Sequence, residues 1–127
     1  MAHEMSVAEA IAVTVLKSAR GERAQKVETI SLEIGELTFL NPEQVTFWLR
    51  ELFKNSEASD AEISCKTVPA KVRCKVCDYE GPLEVKDDPL LHTTLPVFAC
   101  PRCGRGGLEI VEGKDYVIRS IEILKDS

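Results

Sequence analysis

Lys26-Val27-Glu28-Thr29-Ile30-Ser31-Leu32-Glu33-Ile34-Gly35 is the stretch on which the fold turns. Its alternation puts Ile30, Leu32 and Ile34 on one face and charged or hydroxylated residues on the other, the pattern of a strand with one side on a core. What stands on either side of it is helical. Upstream, Ala8, Ile11, Ala12, Val15 and Ala19 recur at i, i+3, i+4 spacing. Ser6-Val7-Ala8-Glu9 has the form of a capping box. These two signals predict a helix from Val7 to about Arg20, with residues 1–5 left as a free arm. Downstream, Asn41-Pro42-Glu43-Gln44 supplies a good N-cap and a proline at the first helical position. A second helix follows, with Val45, Trp48, Leu49 and Leu52 as its apolar stripe.

Two more segments have strand character, Ala61–Val68 and Asp115–Leu124. In the first, Ala61, Ile63, Cys65 and Thr67 share a side, and Cys65 reads as a core residue. Between these strands lies a segment of different composition, about residues 71–112, carrying four of the five cysteines. The expected fold class is therefore α+β, with two helices packed on a small three-stranded sheet and an inserted zinc-ribbon-like lobe. Residues 1–70 and 113–127 make one α+β domain on this reading, and residues 71–112 make the metal lobe.

Cys74-Lys75-Val76-Cys77 and Cys100-Pro101-Arg102-Cys103-Gly104 each set two thiolates on one tight turn. Two such knuckles complete a tetrahedron, and the 22 residues between them (78–99) form a loop that costs little entropy to lengthen. Zinc is the expected ion. Four thiolates close its shell, so it is expected to hold the lobe together and do no chemistry. An iron site as in rubredoxins is the nearest rival, given Tyr79 two residues after Cys77 and the Cys-Pro-x-Cys-Gly turn. Redox dithiols need a single C-x-x-C at a helix start, and neither pair is placed so.

Bulk composition narrows the function classes. With 127 residues, 44% of them hydrophobic and 29% charged, the chain has the size and composition of about one globular domain. A formal charge of -5 disfavours nucleic acid and anionic membranes, because Lys and Arg must neutralise phosphates there. The lobe itself holds six Lys or Arg against seven Asp or Glu. Glu9 interrupts the apolar stretch Ala8–Leu16, and His3 and Glu4 precede it where positive charge belongs, so no secretory signal is read. Five cysteines, four in metal-type pairs, fit a reducing, cytoplasmic setting. Two histidines, His3 and His92, permit no Ser/His/Asp arrangement, and the expectation is a non-enzyme. The acidic run Glu84–Asp88 reads as a solvated loop.

Taken together, Met1-Ala2-His3-Glu4-Met5-Ser6, the strand ending Ile34-Gly35-Glu36-Leu37, the Asn-Pro-Glu helix start and the paired knuckles resemble the HypA family of nickel metallochaperones. The likeness covers essentially the whole chain. It implies a protein that binds Ni(II) through its N-terminal arm and delivers it to the large subunit of [NiFe]-hydrogenase. The resemblance also implies a GTPase partner of the HypB type; this chain has no phosphate-binding G-x-x-x-x-G-K-[ST] of its own, so any nucleotide-driven step falls to such a partner. Whether another enzyme such as urease also receives nickel is left open by these residues. A rubredoxin-like electron carrier and a zinc-ribbon adaptor are the alternatives.

Nickel(II) favours square-planar nitrogen sites, and a chain start offers an amine, ionised amides and an imidazole in a few residues. The expected nickel ligands are His3, Glu4 through its amide more than its carboxylate, and the terminal amine of Met1 or Ala2. His92, in the loop before the second knuckle, is the other imidazole that could complete the site. The family pattern places its histidine second, whereas here it is third. Removal of Met1 restores the family spacing, retention gives the four-nitrogen motif Met1-Ala2-His3, and an Ala2 added in cloning is the third reading.

Overall fold

The computed structural model describes residues 3–88, 93–97 and 99–125, with 84–88 and 93–97 described through the strands they form. A long helix α1 (His3–Gly21) buries Ala8, Ile11, Ala12, Val15 and Ala19, the stripe that its periodicity defines. It starts four residues earlier than the Ser6 capping box predicts, so His3, Glu4 and Met5 form its first turn rather than a free arm. Two forces favour the longer helix. Glu4 places negative charge at the positive end of the helix dipole. Its carboxylate Oε1 also accepts from the Asn41 backbone N–H at 3.4 Å, which fastens the first turn to a distant element.

Strand β1 (Ala24–Gly35) is central in a three-stranded sheet. Helix α2 (Pro42–Leu52) carries the chain over to β2 (Glu62–Val68), which runs parallel to β1 with Ile30 opposite Ile63 and Leu32 opposite Cys65. A parallel pair needs such a crossover, and the helix supplies it. On the other edge β8 (Tyr116–Lys125) runs antiparallel to β1, pairing Ile30 with Ile121 and Leu32 with Ile118. A register shift between Val27 and Thr29 resets the alternation, which lets Val27 and Ile30 both point at the core three positions apart.

Asn41 caps α2 as its sequence implies, Oδ1 accepting from Glu43 N–H at 2.9 Å and Gln44 N–H at 3.2 Å. Val45 and Leu49 are fully buried and Trp48 is partly so, but Leu52 is 38% exposed. Phe53, one residue past the helix, takes its place in the core at 1% exposure. Cys65 is half-buried and packs against this core, where burial pushes its thiol up.

A second, smaller sheet is built from β3 (Lys71–Cys74), β4 (Glu80–Pro82) and β7 (Leu108–Glu112), with β3 in the middle. Ala70, Val72 and Leu83 form its core, with Leu37, Tyr79, Leu108 and Ile110 packed around them. A hairpin of β5 (Glu84–Asp88) and β6 (Thr93–Val97) is appended to it in sequence. The acidic run read as a solvated loop is therefore a strand, held by pairing that its charge pattern does not announce.

The two sheets meet where the chain leaves for the lobe and where it returns. Gly35 N–H donates to the Asp115 carbonyl at 2.9 Å and Leu37 N–H to the Gly113 carbonyl at 2.8 Å. Ala70 N–H donates to the Glu36 carboxylate at 3.3 Å. The short turn Glu36–Thr38 after β1 is thereby bound to both connecting segments.

Candidate metal centre

Each cysteine knuckle is a tight turn closed by its own backbone. Asp78 N–H donates to the Cys74 carbonyl at 3.0 Å, and Gly104 N–H donates to the Cys100 carbonyl at 2.8 Å. The residue after each second cysteine takes a left-handed conformation, Asp78 at φ 60° and Gly104 at φ 74°. Glycine adopts this region freely and aspartate tolerates it better than most side chains, which is why the turns can close here. β3 delivers Cys74 and leads into the first knuckle, and β7 begins shortly after the second.

Sulfur is also held by backbone donors. Val76 N–H points at Cys74 Sγ, and the N–H groups of Arg102 and Cys103 point at Cys100 Sγ, all at 3.4 Å. Cys74 and Cys103 have their sulfurs 3.7 Å apart, and Cys77 and Cys100 have theirs 3.5 Å apart. All four sulfurs lie within 4.8 Å of one another. A tetrahedral ion with metal–sulfur bonds of about 2.3 Å sets its sulfurs about 3.8 Å apart, so the cluster fits a four-thiolate metal site. Arg102 Nη2 donates to the Cys77 carbonyl at 3.0 Å and ties one knuckle to the other.

Thiol acidities diverge inside the cluster. Burial raises Cys100, but the N–H groups of Cys103 and Arg102 and the neighbouring thiols outweigh it and bring it down to about 6. The Cys74 thiol is lowered, chiefly by the backbone N–H of Cys77. At Cys77 the Tyr79 N–H lowers the thiol, while burial and hydrogen bonding to the other three sulfurs push it up to about 12. Without a cation, only part of the cluster can ionise, because adjacent thiolates repel. A bound divalent ion removes that conflict.

The predicted nickel residues stand elsewhere. His3 lies exposed on the first turn of α1, where backbone N–H groups have no intrahelical acceptor. It lines an open cleft of about 370 Å³ with Ser6, Val7, Thr38, Leu40 and Asp115 among its other walls. Glu4 turns its carboxylate away towards Asn41. His92, Met1 and Ala2 lie outside the described residues. Among the described residues, the four cysteines are the one group of three or more metal-binding side chains gathered closely enough to share an ion. Asp115, which the sequence reading left aside as the start of a strand, shares the His3 cleft, and nothing local in the sequence signals it.

A family model described as "Hydrogenase/urease nickel incorporation, metallochaperone, hypA" matches residues 1–123. The chain belongs to the HypA family. Its HypA relatives include the hydrogenase maturation factor HypA of Methanothermobacter thermautotrophicus, 37% identical over 123 residues that cover 97% of this chain and 98% of the relative. The factor of the same name from Pyrococcus horikoshii is 35% identical over 135 residues, covering 98% and 97%. In fold, the chain is similar to the solution structure of the nickel metallochaperone HypA from Helicobacter pylori, at a TM-score of 0.66 and 19% identity over 97% of this chain and 98% of that one. A second HypA solution structure gives a TM-score of 0.69 at 20% identity, covering 99% of both. The α+β architecture with its cysteine lobe is thus the HypA fold.

Proposed function

We propose that this HypA-family protein is a nickel metallochaperone that takes up Ni(II) at the start of α1 and hands it on for [NiFe]-hydrogenase maturation, with zinc held permanently by Cys74, Cys77, Cys100 and Cys103. The observation that carries this reading is the separation of donor types. All four knuckle cysteines are used in one closed sulfur shell, which suits a structural ion and leaves no open position for exchange. The His3 imidazole instead borders an open cleft beside backbone amides with no helical acceptor, the nitrogen-rich surroundings that Ni(II) prefers. Ligation by those amides would break no helical hydrogen bond.

On this reading the ligands are the terminal amine, the His3 imidazole and the neighbouring amides including that of Glu4, with His92 from the lobe as a further donor. The Glu4 carboxylate keeps its contact with Asn41. The protein is not an enzyme. Its partners are a HypB-type GTPase, which supplies any nucleotide-driven step, and the hydrogenase large subunit. It acts in the cytoplasm.

Nickel titration of the wild type and of His3→Ala, each followed by metal analysis, tests the assignment. His3→Ala is expected to lose at least tenfold in nickel affinity, about 1.4 kcal/mol, while keeping one zinc per chain. Equal nickel affinity in the two proteins would sink it. A red iron chromophore in the purified protein would replace zinc with iron at the four cysteines.

A further inference from the structure

The cleft beside His3 is built from three parts of the chain that are remote in sequence. His3, Ser6 and Val7 come from α1, Thr38 and Leu40 from the turn after β1, and Lys114, Asp115 and Tyr116 from the entry into β8. Asp115 is the one carboxylate among the residues lining it. Its backbone is fixed, because its carbonyl accepts from Gly35 N–H at 2.9 Å. Its carboxylate makes no ion pair among the described residues.

A cation placed at this position meets an unfavourable field. The first turn of α1 is the positive end of a 19-residue helix, and Lys114 lines the same cleft. Glu4 is the acidic residue of that turn, but its carboxylate is directed at Asn41. A histidine that binds a metal through one ring nitrogen also needs an acceptor for the N–H on the other, commonly a carboxylate, which fixes the tautomer and strengthens the ligand. Asp115, the one carboxylate lining the same cleft as His3, is the residue available to serve both needs.

We propose that Asp115 is a positioning residue of the nickel site, its carboxylate accepting from the His3 ring nitrogen that does not bind nickel and offsetting the positive helix end. This rests on the nickel-binding role proposed for His3. It adds a residue from the far end of the chain to a site otherwise drawn from its start, and makes the return from the cysteine lobe one wall of the nickel cleft.

The test uses the full-length, zinc-loaded protein and Ni(II) alone as the probe, with competition against a chromophoric chelator giving affinities for wild type, His3→Ala, Asp115→Asn and Asp115→Glu. Asp115→Asn is expected to weaken nickel binding by about 10- to 100-fold, the range typical for loss of a carboxylate behind a ligating histidine. Asp115→Glu should recover most of that loss, and the melting temperature and zinc content should stay at wild-type values in both. Wild-type affinity in Asp115→Asn overturns the proposal. So does a loss that Asp115→Glu fails to recover or that comes with a lowered melting temperature, since either marks damage to the backbone clamp instead. Should His3→Ala bind nickel as the wild type does, the nickel reading itself fails, whatever Asp115 does.

Discussion

Glu57 shows how much a single surface side chain can be perturbed by good geometry. Arg20 grips it with two bonds, Nε to one carboxylate oxygen at 2.8 Å and Nη2 to the other at 3.0 Å. The Arg20 hydrogen bond, helped by the residue's own backbone N–H, brings the Glu57 carboxyl down from 4.5 to about 2. A depressed folded-state value means that this contribution is fully present above pH 4.5 and disappears as the pH falls towards 2. The Glu57 backbone carbonyl also accepts from Val27 N–H at 2.9 Å, so the pair fixes the loop after α2 to the end of α1 and the start of β1. Thermal melts of wild type and Glu57→Gln should therefore differ at pH 7 and converge by pH 2. Parallel curves across that window would show the bidentate contact to be energetically idle.

Elements differ in how openly their sequences declare them. The cap of α2 is legible because every part is local: Asn41 accepts from N–H groups two and three residues on, and Pro42 has no N–H to lose. The knuckles are legible for a different reason, since a tetrahedral ion dictates both spacing and turn geometry. The start of α1 is misread because the Ser6 signal is local, whereas the Glu4 contact that extends the helix depends on Asn41 arriving beside it. Strand β5 hides behind its charge, because a two-stranded hairpin needs no alternating apolar face to pair. Asp115 belongs to the same class as Glu4, being brought to His3 only by the finished sheet. Asn41 therefore serves both helices, through its side chain to α2 and its backbone N–H to α1. Asn41→Ala should destabilise the protein by about 1 kcal/mol through the lost cap, read from the shift in urea midpoint. Because the N–H to Glu4 survives that change, the first turn of α1 should remain helical by amide hydrogen exchange.

At the scale of the whole molecule, a larger and a smaller hydrophobic core are tied together by a backbone junction. Gly35 and Gly113 make it possible. A β-carbon on Gly35 would overlap the Gly113 carbonyl, which cannot withdraw without breaking its 2.8 Å bond from Leu37 N–H. Gly113 itself takes φ +89° and passes so near Ala70 that a β-carbon there would sit 2.8 Å from the Ala70 Cα. Gly104 offers a control within the same chain, having a comparable φ of +74° but open space around it. If the junction is a matter of close approach, Gly35→Ala should cost about 1–3 kcal/mol, the range for forcing added volume into a packed site. Gly104→Ala should cost only its left-handed strain, about 1–2 kcal/mol, and should act on the metal knuckle. The decisive comparison is where each loss appears. Amide exchange in Gly35→Ala should rise around Leu37, Ala70 and Gly113 with the cysteine-bound metal retained, because the damage lies between the cores. In Gly104→Ala the junction should stay protected while the metal held by the four cysteines is surrendered sooner to a chelator. Exchange rising around the cysteines in both variants would mean that the junction and the metal lobe open as one unit, and that the His3 cleft walled by Asp115 opens with them.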